Sequence, residues 1–261
     1  MVITVINNKG GTGKTTISVN LAASMARSGY NVLLIDLDSQ ASAAFYLGLS
    51  REELEPSLAD VLFNELPITE AIRETDIPGL DIVPGGIKLA HSDLILADVA
   101  GREDCLLKAI KPVKNHYDFI ICDCSPSIST LSVNALIASD TYLVPITPQY
   151  LSLEGLVSLM EAVDKIKTGM GLNANLLGIV INMVSTASQQ TRSQANIIGL
   201  VREHYQKAVF TNFIKRYAKL EEAPAHGCSI FEYAPKSPAA LQYNMLAQEV
   251  LSRCGMEDKA V

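Results

Sequence analysis

The stretch NNKGGTGKTT, residues 7–16, is the tightest constraint on what this chain can become. It follows MVITVI, a β-branched run that reads as a buried strand. It precedes ISVNLAASMARSG, where Ile17, Leu21 and Met25 recur at helical spacing until Ser28 and Gly29 stop the pattern. Strand, glycine loop, helix is the setting a nucleotide-phosphate site requires. Gly10, Gly11 and Gly13 let the backbone approach phosphate oxygens and aim its N–H groups inward, at the positive end of the following helix. Lys14 is spaced to reach β- and γ-phosphates, and the Thr15 hydroxyl to ligate Mg2+. A second lysine, Lys9, leads the loop, and Asn8 stands where the first glycine of the usual G-x-x-x-x-G-K-[ST] pattern falls.

Apolar β-rich runs recur along the chain: NVLLID (31–36), LDIVPG (80–85), YDFIICD (117–123), DTYLVPI (140–146) and LLGIVINMV (176–184). Helical patterns fall between them at 57–64, 68–74, 87–96, 102–113, 129–139, 153–167 and 189–205. Hydrophobicity that is continuous rather than alternating implies strands covered on both faces, hence a mostly parallel sheet. The fold class expected is α/β, doubly wound, with helices on both faces. A chain of 261 residues, 48% hydrophobic and without an internal repeat or linker, is expected to form one domain over 1–261.

No window approaches the ~18 apolar residues of a membrane span. No basic leader precedes the first strand, so a cytoplasmic chain is expected. Five scattered cysteines, Cys105, Cys122, Cys124, Cys228 and Cys254, suit reduced thiols. Cys122 and Cys124 flank Asp123; strand alternation is expected to point the two thiols apart, which makes them small apolar neighbours of the site rather than a metal pair. A net charge of −7 excludes a chain coated in basic charge for nucleic acid, while leaving room for a local basic patch.

The octet KGGTGKTT resembles the deviant Walker A loop of the ParA/MinD family of ATPases. DLDSQ (36–40) is similar to the family's D-x-D-P-Q segment, with Ser39 in place of the common proline. FIICDCSPS (119–127) is similar to Walker B and the second switch, with Ser125 replacing the first proline of D-x-P-P. VPITPQYLSLEGL (144–156) and residues 220–251 look like the family's C-terminal half. The resemblance implies a deviant P-loop NTPase that takes ATP and Mg2+, with ATP-binding positions Lys9, Gly10, Gly11, Thr12, Gly13, Lys14, Thr15 and Thr16. It implies that Lys9 reaches across a two-fold interface to the ATP of a second subunit and that Asp38 orients the attacking water. Thr15, Asp36 and Asp123 then lie on the metal side, and Asn182 and Pro224 near the adenine.

Within the family, MinD-like proteins end in a basic amphipathic helix that inserts into a membrane surface. Here Leu241, Met245, Ala247, Val250 and Leu251 read as core packing, and the SRCGMEDKAV tail has mixed charge, so no membrane is expected. Iron–sulfur relatives place cysteines in particular loops, and only Cys122 and Cys124 lie near the switch. The resemblance is closest to chromosomal, Soj-like ParA proteins. It implies a homodimer with ATP, nonspecific binding to duplex DNA, nucleoid association, and a ParB-like or cargo-adaptor protein that stimulates a slow ATPase. The DNA contacts it implies are Lys215, Arg216 and Lys219 in FIKRYAKLEEAP together with Arg192, with Arg202 and Lys207 in the same helical region. Gln189 and Gln190 stand where a family arginine is expected, so either Arg192 substitutes or DNA binding is weaker. Without the resemblance, a solvated face is the plainer reading of those charges. A membrane-surface regulator and a protein-docking adaptor are the alternatives.

Overall fold

Seven strands, β1 (Val2–Val5), β2 (Val32–Leu37), β3 (Arg73–Glu74), β4 (Leu80–Val83), β5 (Phe119–Cys124), β6 (Thr141–Ile146) and β7 (Asn175–Ile181), form one sheet in the order β3-β4-β2-β5-β1-β6-β7. The computed structural model describes residues 1–172, 174–185, 191–256 and 259. Every pairing is parallel except β3 with β4. Every residue of β1, β2 and β5 is buried, as their unbroken apolar runs require for strands covered on both sides.

One face packs against α1 (Lys14–Arg27), α2 (Ser42–Tyr46), α10 (Ala218–Glu222), α11 (Ile230–Tyr233) and α12 (Pro238–Arg253). The other face carries α3 (Leu58–Phe63), α4 (Ile68–Ala71), α6 (Cys105–Ile110), α7 (Thr130–Ala138), α8 (Tyr150–Met170) and α9 (Arg192–Tyr205), with α5 (Ser92–Ile95) against α7. Central β1 lies between β5 and β6, so the loop that follows it opens at the carboxyl end of the sheet, where doubly wound folds bind ligands.

Three expectations are corrected by packing. The helical pattern at 68–74 splits: α4 ends at Ala71, and Arg73 and Glu74 pair antiparallel with Ile82 and Asp81 as an edge strand. The Arg73 guanidinium holds that turn by donating to the carbonyls of Glu55, Glu70 and Ile72. Leu241 (61% exposed) and Met245 (42%) face outward, because α12 buries the stripe through Tyr243, Leu246, Ala247, Val250 and Leu251 instead. Finally, β7 ends at Ile181 rather than 184, because Met183 turns into the left-handed region at φ 56°.

Beyond α9 the chain returns along the outer edge of β7, bridging Ile179 to Val209 and Val184 to Lys215 in parallel. That return delivers Lys215 and Arg216 to the same end of the sheet as the glycine loop.

Candidate phosphate and metal site

The loop after β1 turns through Gly11 (φ 71°) and Gly13 (φ 85°), a conformation that costs a glycine little. Gly13 is also a close approach: a Cβ there would collide with the carboxamide of Asn182. The neighbouring strands hold the loop in shape. Asn7 Nδ2 donates to the Pro145 carbonyl in β6 (2.6 Å), and Asn7 Oδ1 accepts from the Lys9 N–H (2.9 Å). Asn182 Nδ2, at the end of β7, donates to the Thr12 carbonyl (2.8 Å).

Lys14 Nζ folds back to donate to the Lys9 carbonyl (2.9 Å). Burial pulls its pKa below the ordinary lysine value, and the Asp123 carboxylate opposes that shift. Lys9 itself lies partly exposed, its stem alongside Gly155 of α8, where a Cβ would stand 3.5 Å from Lys9 Cδ. The two lysines are thus in direct contact, one ammonium on the other's backbone.

Asp36 and Asp123 end neighbouring strands and are register partners. Both are fully buried. Asp36 Oδ1 accepts from the Asp38 N–H (3.0 Å), and Oδ2 from those of Ala43 (2.9 Å) and Ala44 (3.3 Å), so this carboxylate shapes the 38–44 turn. Burial, then the charge of Asp123, pushes its pKa well above the carboxylate range. Asp123 Oδ1 accepts from Ser18 Oγ (2.8 Å), one helical turn beyond Lys14. Burial pushes Asp123 up to about 6, against the opposing hydroxyls of Thr15 and Ser18 and the Lys14 ammonium. Its other oxygen, Oδ2, is buried without a hydrogen-bond partner. An orphaned carboxylate oxygen beside a threonine hydroxyl and a second carboxylate is a donor set that suits a hydrated Mg2+. Asp38 lies close enough for its charge to act on both Lys14 and Asp123, and its Oδ1 accepts from the Gln40 N–H (3.0 Å). Gly85, two residues past β4, lies against this turn; a Cβ there would collide with the Asp38 carbonyl and stand 3.0 Å from that of Asp36.

The structure therefore gathers Lys9 through Thr16, Asp36, Asp38 and Asp123 at one end of the sheet. Asn182 joins them as a brace beneath the loop, a contact that its position at the end of a strand did not announce. Asn7, Ser18 and Gly85 are further contributors that spacing along the chain did not mark. Pro224 lies in the 3-10 turn Ala223–His226, which packs on α2 beyond the Asp38 turn. Cys122 and Cys124 are not on opposite faces as expected: residues two apart on a strand share a face, and both thiols pack into the core below α7 and α8 while Asp123 between them points toward α1. Burial raises both thiol pKa values, Cys122 to about 12.

The basic residues divide. Lys215 and Arg216 stand at the carboxyl end of the sheet, with Arg216 in an exposed pair with Glu221 (3.2 Å), and Lys219 follows in α10. Arg192 opens α9 and is exposed. Lys207 instead lies two residues before Val209, which bridges Ile179 in the body of β7, and Arg202 lies in the last turn of α9. Gln189 and Gln190 lie outside the described residues.

A family model described as an AAA domain matches residues 1–177. Sporulation initiation inhibitor protein Soj of Bacillus subtilis is 36% identical over 249 residues, covering 95% of this chain and 97% of that protein. Chromosome partitioning protein ParA of Myxococcus xanthus is 34% identical over 252 residues, covering 97% of this chain and 88% of that one. Among solved structures, cobyrinic acid a,c-diamide synthase of Mycobacterium smegmatis with a bound ATP analogue and magnesium is similar at a TM-score of 0.85 and 27% identity, covering 99% of this chain and 98% of that one.

Proposed function

The chain belongs to the ParA/MinD family of P-loop ATPases, in its Soj-like ParA branch, and from that premise we propose that residues 1–261 act as one ATP-driven positioning switch. Mg·ATP binding brings two copies together with the nucleotide between them. The dimer binds duplex DNA without sequence preference, and a ParB-like or cargo-adaptor protein stimulates hydrolysis and release. The protein then works in the cytoplasm on the nucleoid.

The observation that carries this reading is the contact of Lys14 Nζ with the Lys9 carbonyl. A buried ammonium satisfied by one carbonyl is poised to exchange it for phosphoryl oxygens, which bind an ammonium more strongly. That exchange frees the Lys9 backbone, so phosphate loading and the deployment of Lys9 toward a second subunit become one event. Lys9 and Lys14 then stabilise charge on the phosphoryl oxygens, and Asp38 positions water; the chemistry is placement and electrostatics. Mg2+, when bound, neutralises charge on the β- and γ-phosphoryl oxygens, and Thr15, Asp123 through water, and Asp36 would hold it. Backbone N–H groups from Gly10 to Thr16 cradle the phosphates. Asn182, which has a second amide hydrogen beyond the one given to Thr12, and Pro224 serve the adenine side. Lys215, Arg216, Lys219 and Arg192 contact DNA phosphates.

The test is binding to random-sequence duplex DNA with ADP, with Mg·ATP, and with Mg·ATP on Asp38→Ala, across a salt series. Binding that needs ATP, is strongest in the variant and falls steeply with salt is expected. ATP dimers that ignore DNA at every salt concentration would overturn the DNA assignment; liposomes and candidate protein partners would then separate a membrane-surface regulator from a docking adaptor.

A further inference from the structure

Three consecutive residues at the end of β7 touch two surfaces that the proposed function uses separately. Asn182 is 3% exposed, and both ends of its carboxamide are engaged: Nδ2 donates to the Thr12 carbonyl (2.8 Å), and Oδ1 accepts from the Met183 N–H (2.9 Å). Its own N–H donates to the Ile146 carbonyl (2.7 Å), which anchors it to β6. Met183 follows at φ 56°, a left-handed conformation uncommon for a long side chain, and its Cε lies 3.5 Å from where a Gly13 Cβ would stand. Val184 comes next. Its N–H donates to the Ile214 carbonyl (3.0 Å), and its carbonyl accepts from the Arg216 N–H (3.0 Å).

We infer that Asn182 is a positioning residue that clasps the phosphate loop and, through the strained turn at Met183, sets the placement of the 214–216 backbone that carries Lys215 and Arg216. The route from loop to basic segment is short: one side-chain hydrogen bond, two peptide units, one backbone hydrogen bond. It also passes through Met183, whose left-handed backbone has an ordinary extended alternative, the kind of two-way element a coupling route needs. Held by Asn182 and by packing on Gly13, Met183 stays left-handed and Val184 keeps its two bonds to the basic segment. Released, Met183 relaxes toward an ordinary extended conformation, and those bonds are strained. Gly13 is required twice over, for its own φ of 85° and for the room it leaves the Asn182 amide.

This inference rests on the nucleotide reading of the loop but not on DNA binding. The test is amide hydrogen exchange on the full chain, nucleotide-free and with a saturating non-hydrolysable Mg·ATP analogue, with occupancy checked by a fluorescent nucleotide. In the native chain the analogue is expected to slow exchange at Val184, Ile214 and Arg216 about tenfold, as well as at Ile17 in the loop helix; tenfold is about what one hydrogen bond of coupling gives. Asn182→Ala, which can also weaken nucleotide affinity and is therefore read only at a concentration that the fluorescent nucleotide shows to fill its site, should lose the response at Val184, Ile214 and Arg216 relative to that at Ile17. Met183→Gly, where the left-handed backbone is unstrained and the Met183 side chain no longer packs on Gly13, should fold normally and at least halve the response at the same three amides. Protection at Ile17 without any at the other three in the native chain would overturn the clasp and leave the nucleotide site standing. A full response in both variants would also overturn it. No protection anywhere would overturn both.

Discussion

Replacing Asp123 with Asn removes a buried charge that the fold satisfies at only one of its two oxygens. One carboxylate oxygen accepts from Ser18 at 2.8 Å; the other is buried without a partner. The group therefore holds its proton up to about pH 6 in the folded chain, against 3.8 for a free carboxyl. A carboxyl whose folded pKa is raised favours folding at low pH, and that contribution is lost as pH rises through about 6. At pH 7 the charged carboxylate therefore opposes the fold, on the order of 1–3 kcal/mol at ~1.4 kcal/mol per pH unit. Asp36, its register partner, shares the burden, since its own pKa is raised in part by Asp123. Asn keeps the size of the side chain and can accept from Ser18. Nucleotide-free Asp123→Asn is therefore expected to be more stable than the native chain by roughly 1–3 kcal/mol at pH 7, and the difference should vanish near pH 4. Thermal or urea melts from pH 4 to 8 would read it, and at ~2–4 °C per kcal/mol the midpoint shift is large enough to measure. In the same assay Mg·ATP should stabilise the native chain far more than the variant. A variant less stable at pH 7, or a difference that does not change with pH, would refute the claim that the charge is uncompensated; equal stabilisation by Mg·ATP would remove Asp123 from the metal side.

Four other variants separate the proposed roles. Lys9→Ala keeps the carbonyl that receives Lys14, so monomeric nucleotide binding should survive while ATP-dependent dimerisation, read by light scattering, is abolished. Asp38→Ala should slow steady-state phosphate release by ~100-fold or more and accumulate an ATP-bound dimer, the loss usual for a group that positions a reacting water; full turnover would exclude it. Lys215→Glu with Arg216→Glu should abolish DNA binding and spare the ATP dimer, at under ~1 kcal/mol in stability for the exposed Glu221 pair. Neutralising the same two residues with Ala should lower the salt slope of DNA binding by ~1 for each phosphate that is no longer neutralised.

Local rules made the framework legible. The β-branched runs, the positive-φ glycines at 11 and 13, and the 17–21–25 spacing of α1 follow from conformational preference within 5 to 15 residues, and the structure reproduces them. The pairing of Cys122 with Cys124 on one face was equally legible, since a strand has a period of two. The outward turn of Leu241 and Met245 was not, because α12 offers more than one apolar stripe and only its contact with α1 chooses among them. Nor could the chain alone separate Lys215 and Arg216 from Arg202 and Lys207; that division depends on the return of 209–216 along β7. The Ser18–Asp123 bond spans 105 positions and the Asn182–Thr12 bond 170. Spacing along a chain carries no information about such pairs. The order of strands in the sheet brings them together, and that order is set by which faces bury best against one another, a property of the whole fold.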